Sequence, residues 1–296
     1  MKYKENNGII EITDAPDFDP QKIFECGQCF RWDADKTKPY IYTGVAKGRA
    51  AQVQRRGDTI CITSTKEDFE TIWRDYFDLD RDYEAIRKKL SIDDFMHKAT
   101  LYGAGIRILK QDPWEALCSF IISQCNNISR IKKIINTLCL EFGQEFQVGD
   151  TKHYTFPTAQ TLAKQTEEDL TPLRCGYRAA YILKAALAVA NGEIDLEEIT
   201  KQPQNTARLQ LKKLHGVGDK VADCVMLFGL NKLDAFPIDV WMKRAIAQHY
   251  NSNFNPNIFT PYAGIAQQYM FNYMRNAQTN KQASGSIDPD TLTKRR

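Results

Sequence analysis

One lysine of this chain stands where an amine could act as a nucleophile. Lys220 follows the glycines of Gly216-Val217-Gly218 and lies in the first turn of a predicted helix. The positive end of the helix dipole disfavours a cation there, and a neutral amine can attack carbon and form a Schiff base. This position predicts a covalent catalyst, although a surface lysine that contacts phosphate is the simpler interpretation of Lys220 taken alone.

The same stretch predicts a site for phosphate. An amphipathic helix ends at Leu214, and His215-Gly216-Val217-Gly218 is expected to turn tightly into a second helix, from Asp219 to Gly229. Free backbone N–H groups at such a turn and helix start bind anions. A hydrophobic-x-Gly-hydrophobic-Gly turn between two helices is the helix-hairpin-helix motif of sequence-independent DNA binding. An ordinary connection with two glycines is the alternative.

Two further features of the sequence could carry chemistry. Asp239 begins another predicted helix, where an aspartate is common as an N-cap. Cys26-Gly27-Gln28-Cys29 has the spacing of half a zinc site or of a redox dithiol. The chain contains no second cysteine pair of this kind, and its four histidines are isolated. We therefore interpret the two cysteines as packing residues beside a turn.

Length and composition indicate an ordinary globular protein. The chain has 296 residues, enough for about two domains. Hydrophobic residues make up 43% and charged residues 26%, which makes disorder, collagen and coiled coils poor interpretations. No apolar run approaches the ~18 residues of a membrane span, and the first residues lack the apolar core of an export signal. We expect a cytoplasmic protein whose eight cysteines are reduced thiols.

The elements that position these residues fall into two parts. Residues 1–98 contain short β-branched and aromatic runs such as Tyr40-Ile41-Tyr42-Thr43-Gly44-Val45, which are typical of antiparallel strands. Residues 99–278 carry long amphipathic patterns, which predict a last helix over Tyr262–Met274. Residues 279–296 lack aromatic side chains and are predicted to form a flexible tail. The predicted fold class is α+β, a small antiparallel β-rich lobe followed by an all-α helix-hairpin-helix domain.

Taken together, the motifs resemble those of one enzyme family. The stretch from Gly216 to Cys224, followed by Phe236-Pro237-Ile238-Asp239-Val240, is similar almost residue for residue to the catalytic signature of the helix-hairpin-helix 8-oxoguanine DNA glycosylases. Gly27-Gln28-Cys29-Phe30-Arg31-Trp32 resembles their amino-terminal recognition turn, and Asn126-Asn127-Ile128-Ser129-Arg130-Ile131 their DNA-intercalating segment. The resemblance spans about residues 20–275. It implies an enzyme that removes 8-oxoguanine from double-stranded DNA.

The resemblance assigns the lesion base to a pocket. The carbonyl of Gly27 would accept a hydrogen bond from N7–H of 8-oxoguanine, a hydrogen that guanine lacks, and the missing Cβ would permit that close approach. Phe271 and Cys224 would sandwich the flipped base, and Gln267 would bond its Watson–Crick edge. Core packing is the alternative for the last three residues.

The resemblance also assigns residues to the gap that a flipped nucleotide leaves. Tyr177 would wedge into the stack. Arg130 and Arg178 would bond the estranged cytosine, since a planar guanidinium suits base edges, although phosphate contact would also explain either arginine. Cys125-Asn126-Asn127 matches a run of three asparagines in the family. A cysteine thus replaces the first asparagine, which predicts weaker discrimination of the opposite base.

The mechanism that the family implies needs no cofactor. Lys220 would attack C1′ of the sugar, Asp239 would stabilise positive charge on that sugar, and β-elimination from the resulting imine would nick the strand. Relatives hold a monovalent cation or calcium on main-chain carbonyls that match Lys212, Leu214 and Val217. We expect a monomeric glycosylase and AP lyase that binds duplex DNA and no membrane, and that is associated with the nucleoid if its source is bacterial.

Two alternatives belong to other classes of protein. An endonuclease-III-like glycosylase for other oxidised bases often carries an iron–sulfur cluster on four cysteines near the carboxyl terminus, whereas the last cysteine here is Cys224. A non-catalytic helix-hairpin-helix module would hold phosphates, but it would need neither Lys220 nor Asp239. Both alternatives therefore explain less of the sequence.

Overall fold

The amino-terminal lobe is an antiparallel sheet, as the sequence predicted. The structure, a computed structural model, describes residues 1–13, 15–251 and 253–283. Within these residues, six strands pair in the order β1-β2-β6-β5-β4-β3. Their bounds are β1 Tyr3–Asn6, β2 Ile9–Ile12, β3 Trp32–Ala34, β4 Ile41–Ala46, β5 Arg49–Arg56 and β6 Thr59–Thr63.

The core of the lobe follows from side-chain alternation along the strands. The cross-strand pairs Ile10–Ile62 and Ile12–Ile60 bury all four side chains on one face of the sheet. Helix α1, Pro20–Glu25, begins at the N-cap Asp19 and packs on this face, where Phe24 stacks on Trp32 with ring centres 4.3 Å apart. A helical segment follows the last strand of the lobe. It consists of α2 Lys66–Asp68, a π-helical turn Phe69–Trp73 and α3 Arg74–Tyr76.

The rest of the described chain is mainly helical. A two-stranded hairpin, β7 Glu145–Val148 and β8 Thr151–Tyr154, interrupts it, and 3₁₀ turns span Thr171–Leu173 and Pro256–Phe259. The helices are α4 Tyr83–Leu90, α5 Asp94–Tyr102, α6 Pro113–Ile122, α7 Ile128–Phe142, α8 Ala159–Leu162, α9 Arg178–Ala190, α10 Leu196–Lys201, α11 Gln204–Leu211, α12 Asp219–Phe228, α13 Val240–His249 and α14 Ala263–Ala283. None of the described helices has the length and hydropathy of a membrane span.

Two bounds differ from those expected from the sequence. The expected domain boundary at residue 98 falls inside α5, because α4 and α5 bury Tyr83, Ile86 and Phe95 in the core of the helices, not of the sheet. The last helix continues to Ala283, past its expected end at Met274. No glycine or proline interrupts residues 275–283. The remainder of the expected tail, residues 284–296, lies outside the described residues.

Candidate active site

The residues predicted for catalysis and for base binding line one cleft. Lys220 and Asp239 come from the starts of α12 and α13, and residues from α14 and from the turn after α1 lie opposite them. The cleft is lined by Cys26, Gly27, Phe120, Lys220, Cys224, Phe228, Pro237, Asp239, Gln267, Gln268 and Phe271. The structure therefore brings together all six residues assigned to catalysis and to the lesion base.

Lys220 is half-buried in the first turn of α12. Its ammonium lies 3.4 Å from the Ser123 hydroxyl and 5.5 Å from the centre of the Phe120 ring. Among the described residues it forms no ion pair, so no carboxylate holds the amine away from an electrophile. The sequence analysis missed Phe120 and Ser123, although their spacing of three residues places them on one face near the end of α6.

Asp239 is the N-cap of a helix and also lines the cleft. It is the N-cap of α13, where its carboxylate accepts the Met242 N–H at 2.8 Å. Burial raises the pKa of Asp239 above the usual aspartate value, and the Met242 N–H and the Lys220 ammonium oppose this only in part. A half-buried carboxylate beside an amine can stabilise positive charge that develops between them.

One buried polar atom in the cleft has no protein partner. Gln267, on α14, is 4% exposed, and its Oε1 is buried without a hydrogen-bond partner among the described residues. An unsatisfied buried acceptor costs about 1–3 kcal/mol, and a donor on a ligand in this cleft would complete the bond. Phe271 lies one turn further along α14 and Cys224 one turn after Lys220, both on the same cleft. Burial raises the pKa of the Cys224 thiol to about 11, which keeps it neutral.

Gly27 is explained by its backbone conformation. Its φ is +82°, in the left-handed region that favours glycine. A Cβ at this position would meet no atom nearer than 3.5 Å, the closest being in the Phe271 ring. The free protein therefore leaves space for a Cβ at this position, and the predicted close approach to a flipped base stays a prediction.

The turn that carries Gly27 is held by its neighbours. The Gln28 side chain donates to the Arg107 carbonyl at 2.8 Å and accepts the Leu109 N–H at 2.9 Å. Gln268, which the sequence analysis also missed, donates to the Cys26 carbonyl at 2.8 Å. These bonds connect the turn after α1, the segment between α5 and α6, and α14, so the position of Gly27 depends on all three.

The two cysteines flanking this turn are packing residues. Cys26 and Cys29 are buried free thiols. Burial raises the pKa of Cys26 to about 11 and that of Cys29 well above its usual value, which opposes thiolate chemistry. In the part of the chain that the structure describes, no group of three or more His, Cys, Asp and Glu side chains is placed to hold a metal ion.

Different features explain why glycine occurs at the two positions of the hairpin between α11 and α12. Gly216 has φ +83°, and a Cβ there would lie 2.2 Å from the Tyr181 ring. Gly218 has φ −91° and open space around it, so the expected special conformation is present only at Gly216. Gly218 caps α12 without a side-chain bond, which leaves the first N–H groups of α12 for an anion. Val217 is buried and His215 is exposed against Tyr181.

The residues expected around the gap that the flipped nucleotide leaves differ in their exposure to solvent. Tyr177 is 51% exposed, so core packing does not explain it. Arg178 is only 4% exposed and donates to the carbonyls of Gln124 at 2.9 Å and Cys175 at 3.1 Å. Gln124 lies in the turn after α6 and Cys175 in the turn before α9, so Arg178 connects the two turns. In the free protein Arg178 is therefore bonded to the backbone, and Arg130 is the exposed arginine of the pair.

The Cys125-Asn126-Asn127 turn combines structural roles with one exposed side chain. Asn127 caps α7 by accepting the Arg130 N–H at 2.9 Å, and Asn126 donates to the Ile122 carbonyl at 3.2 Å. Cys125 is exposed and has φ +47°, a conformation that asparagine adopts more readily than cysteine. The position that matches the family's first asparagine is thus open to solvent, and its backbone carbonyl accepts a bond from Arg178 at 3.2 Å.

Comparison with known families matches both parts of the chain. Residues 10–117 match the model of the 8-oxoguanine DNA glycosylase N-terminal domain. Residues 118–257 match the model of the HhH-GPD superfamily of base excision DNA repair proteins. The two matches are contiguous and together contain every residue predicted for the site except Gln267 and Phe271.

Individual relatives agree with these matches. The N-glycosylase/DNA lyase of Saccharomyces cerevisiae is 32% identical over 79% of this chain and 69% of its own length. The Arabidopsis thaliana N-glycosylase/DNA lyase is 32% identical over 77% of this chain and 64% of its own length. The 8-oxoguanine glycosylase/lyase of Clostridium acetobutylicum, solved with DNA containing cytosine opposite 8-oxoguanine, is 36% identical to this chain. The structural match has a TM-score of 0.88 and covers 94% of this chain and 99% of that one. The chain therefore belongs to the HhH-GPD superfamily of base excision DNA repair proteins, and within it to the 8-oxoguanine DNA glycosylases.

Proposed function

We propose that this protein excises 8-oxoguanine from duplex DNA and then nicks the strand as an AP lyase. The observation that carries the proposal is the cleft that Lys220, Asp239 and Gln267 share. It holds a lysine with no ion-pair partner among the described residues, a carboxylate and an unsatisfied acceptor. The enzyme acts as a monomer on double-stranded DNA, so we place it in the compartment that holds DNA, which is the cytoplasm in a bacterium.

The base is recognised after its nucleotide leaves the duplex. Tyr177 fills the gap in the stack, while Gln267 accepts a hydrogen bond from the Watson–Crick edge of the flipped base. Phe271 stacks on the base and Cys224 packs on its other face. The Gly27 carbonyl accepts the N7–H bond that distinguishes 8-oxoguanine from guanine.

The bond-breaking steps take place on the sugar of the flipped nucleotide. The Lys220 nitrogen bonds to C1′, the bond from C1′ to N9 breaks, and its electron pair leaves with the base, which takes up a proton. Asp239 stabilises the positive charge that develops on the sugar. The lysine nitrogen then loses a proton and its lone pair breaks the C1′–O4′ bond, so that O4′ takes up a proton and an imine forms. The imine acidifies the C2′ proton, and removal of that proton expels the 3′ phosphate.

No cofactor takes part in these steps. A structural cation at the hairpin would bind the carbonyls of Lys212, Leu214 and Val217, since hard cations prefer oxygen ligands. The Leu214 carbonyl already accepts the Val217 N–H at 3.1 Å, which leaves it one further lone pair. Such a cation would add positive potential beside the phosphate that α12 binds.

A panel of duplexes tests the assignment of substrate. Each duplex carries one lesion opposite its normal partner, either 8-oxoguanine, thymine glycol, 5-hydroxycytosine or 3-methyladenine, and strand cleavage is scored after alkali. We expect excision of 8-oxoguanine well above the other lesions. Preferential cleavage at the oxidised pyrimidines would favour the endonuclease-III-like alternative, and binding without any cleavage would favour the non-catalytic module.

The affinity for DNA should depend modestly on salt. The net charge is only +3, so binding relies on the hairpin and on local basic residues. Each neutralised phosphate adds about −0.9 to the slope of log K against log salt concentration, and we expect a slope of about −3 to −6. Fluorescence anisotropy between 50 and 300 mM salt, about the usual range, measures it. A slope indistinguishable from zero would contradict binding through this face.

Replacing Cys125 with asparagine should sharpen the preference for cytosine opposite the lesion. An amide both donates and accepts hydrogen bonds, whereas a thiol does either weakly. A good base contact discriminates by about 1–3 kcal/mol, or about five- to 150-fold. Asparagine also suits φ +47°, so the turn should persist.

Single-turnover excision opposite C, A, G and T, measured for the parent and for Cys125→Asn, checks this prediction. We expect the parent to tolerate bases other than cytosine better than the variant does. Identical profiles over the four bases would mean that Cys125 has no part in reading the opposite base.

A further inference from the structure

A second groove lies beside Tyr177 and has no part in the proposed chemistry. It runs between the first turns of α7 and the 3₁₀ turn that precedes α9, and it encloses about 540 Å³. Buried Ile134 and Leu173 form its apolar floor. Three exposed cations surround that floor, namely Arg130, Lys133 and Arg174.

The positive charge of this groove is not neutralised by the protein. Within the described residues none of the three cations forms an ion pair, whereas the neighbouring Lys132 pairs with Asp33 at 2.9 Å. The Arg130 guanidinium instead donates to the Arg174 carbonyl at 3.1 Å, which joins the two walls of the groove. Unpaired cations around an apolar floor suit a chain of phosphates and deoxyriboses.

Arg174 lies in a backbone conformation that favours glycine. Arg174 has φ +49° and ψ +37°, in the left-handed region where glycine is less strained than any residue with a Cβ. An arginine therefore stands where the backbone alone would favour glycine. Tyr177 follows three residues later, so the guanidinium extends from the same turn as the proposed wedge.

We infer that this groove binds the sugar–phosphate backbone of the undamaged strand, next to the base that loses its partner. The inference rests on the proposed function, because it requires Tyr177 in the stack and Arg130 near the estranged base. Arg174 and Lys133 neutralise phosphates of that strand, and the apolar floor contacts its sugars. These contacts hold the undamaged strand in place while the damaged nucleotide turns out.

The test compares Arg174→Gly with a matched control. Glycine keeps the left-handed conformation, so the variant should fold and melt at or above the parent temperature. Lys47→Gly also removes one cation at a left-handed position, φ +48°, but in the β4–β5 turn of the sheet lobe, where the Lys47 ammonium pairs with Asp75 at 3.4 Å. Both changes are made in Lys220→Gln protein, which allows equilibrium binding to an 8-oxoguanine duplex without cleavage.

We expect Arg174→Gly to weaken binding about five- to tenfold at 0.1 M salt and to reduce the salt slope by about 0.9, the value of one phosphate. Lys47→Gly should change neither quantity. Neutral methylphosphonate linkages in the undamaged strand beside the estranged base should remove the difference between Arg174→Gly and its parent.

Two results would overturn the inference. One is binding by Arg174→Gly that equals that of Lys47→Gly in affinity and slope. The other is a loss of affinity that disappears only when the neutral linkages are in the damaged strand. Excision of 8-oxoguanine by the protein with Lys220 intact is measured separately, so a failure of the proposed function would be distinguished from a failure of this groove.

Discussion

Lys220→Gln should lose single-turnover excision of 8-oxoguanine by more than about a thousandfold, because removal of a covalent nucleophile leaves no alternative path of similar rate. Binding to the duplex should persist, since the Gly216–Gly218 turn and the first N–H groups of α12 do not depend on the amine. Rapid-quench excision and fluorescence anisotropy measure the two quantities on the same protein.

Lys213→Gln is the matched control for Lys220→Gln. Lys213 is an exposed cation of the same hairpin and does not line the cleft. Its replacement removes the same charge and should leave the excision rate near that of the parent. Excision by Lys220→Gln at the parent rate would contradict the assignment of the nucleophile, whereas equal losses in both variants would indicate an effect of charge alone.

Asp239→Asn should slow excision by about 10²–10³-fold, the usual cost of removing one group that stabilises charge in the transition state. Asparagine is as good an N-cap as aspartate, and it can still accept the Met242 N–H. The fold and the start of α13 should therefore be retained, which a thermal melt would verify. An unchanged excision rate would mean that Asp239 serves only as a cap.

The same carboxylate should appear in the pH profile. Asp239 acts in its ionised form, and its pKa is raised by burial. Excision by the parent should therefore fall as the pH decreases through a value above the aspartate norm of about 3.9. Asp239→Asn cannot ionise there, so its residual activity should lack this acidic limb. A limb that is identical in both proteins would belong to another group.

The sequence was sufficient to predict the catalytic centre because its residues occur in two short motifs. Lys220 follows a glycine hairpin, and Asp239 precedes a helix, so each side chain is positioned by local structure that spacing reveals. The base pocket needed the family resemblance as well. Gly27 and Phe271 are far apart in the chain, and no periodicity indicates that α14 packs against the turn after α1.

Other details depended on conformations that residue types do not determine. Gly216 and Gly218 look alike in the sequence, yet of the two only Gly216 is left-handed, and only at Gly216 does a neighbouring ring, that of Tyr181, occupy the space of a Cβ. Arg178 donates to carbonyls of the turn at Gln124 in the free protein, which its sequence pattern does not indicate, and its contact with the estranged base stays a prediction. A sequence pattern does not show which backbone carbonyls a fold leaves unsatisfied, and a guanidinium is recruited wherever they lie.

Borohydride trapping tests the central claim most directly. The parent protein is mixed with a duplex that contains 8-oxoguanine opposite cytosine, the imine is reduced, and the cross-linked peptide is identified by mass spectrometry. Our account predicts one covalent complex, formed with the 8-oxoguanine duplex and not with an undamaged duplex, in which the sugar is attached to Lys220. No complex under conditions of excision, or attachment to the amino terminus or to another lysine, would contradict it.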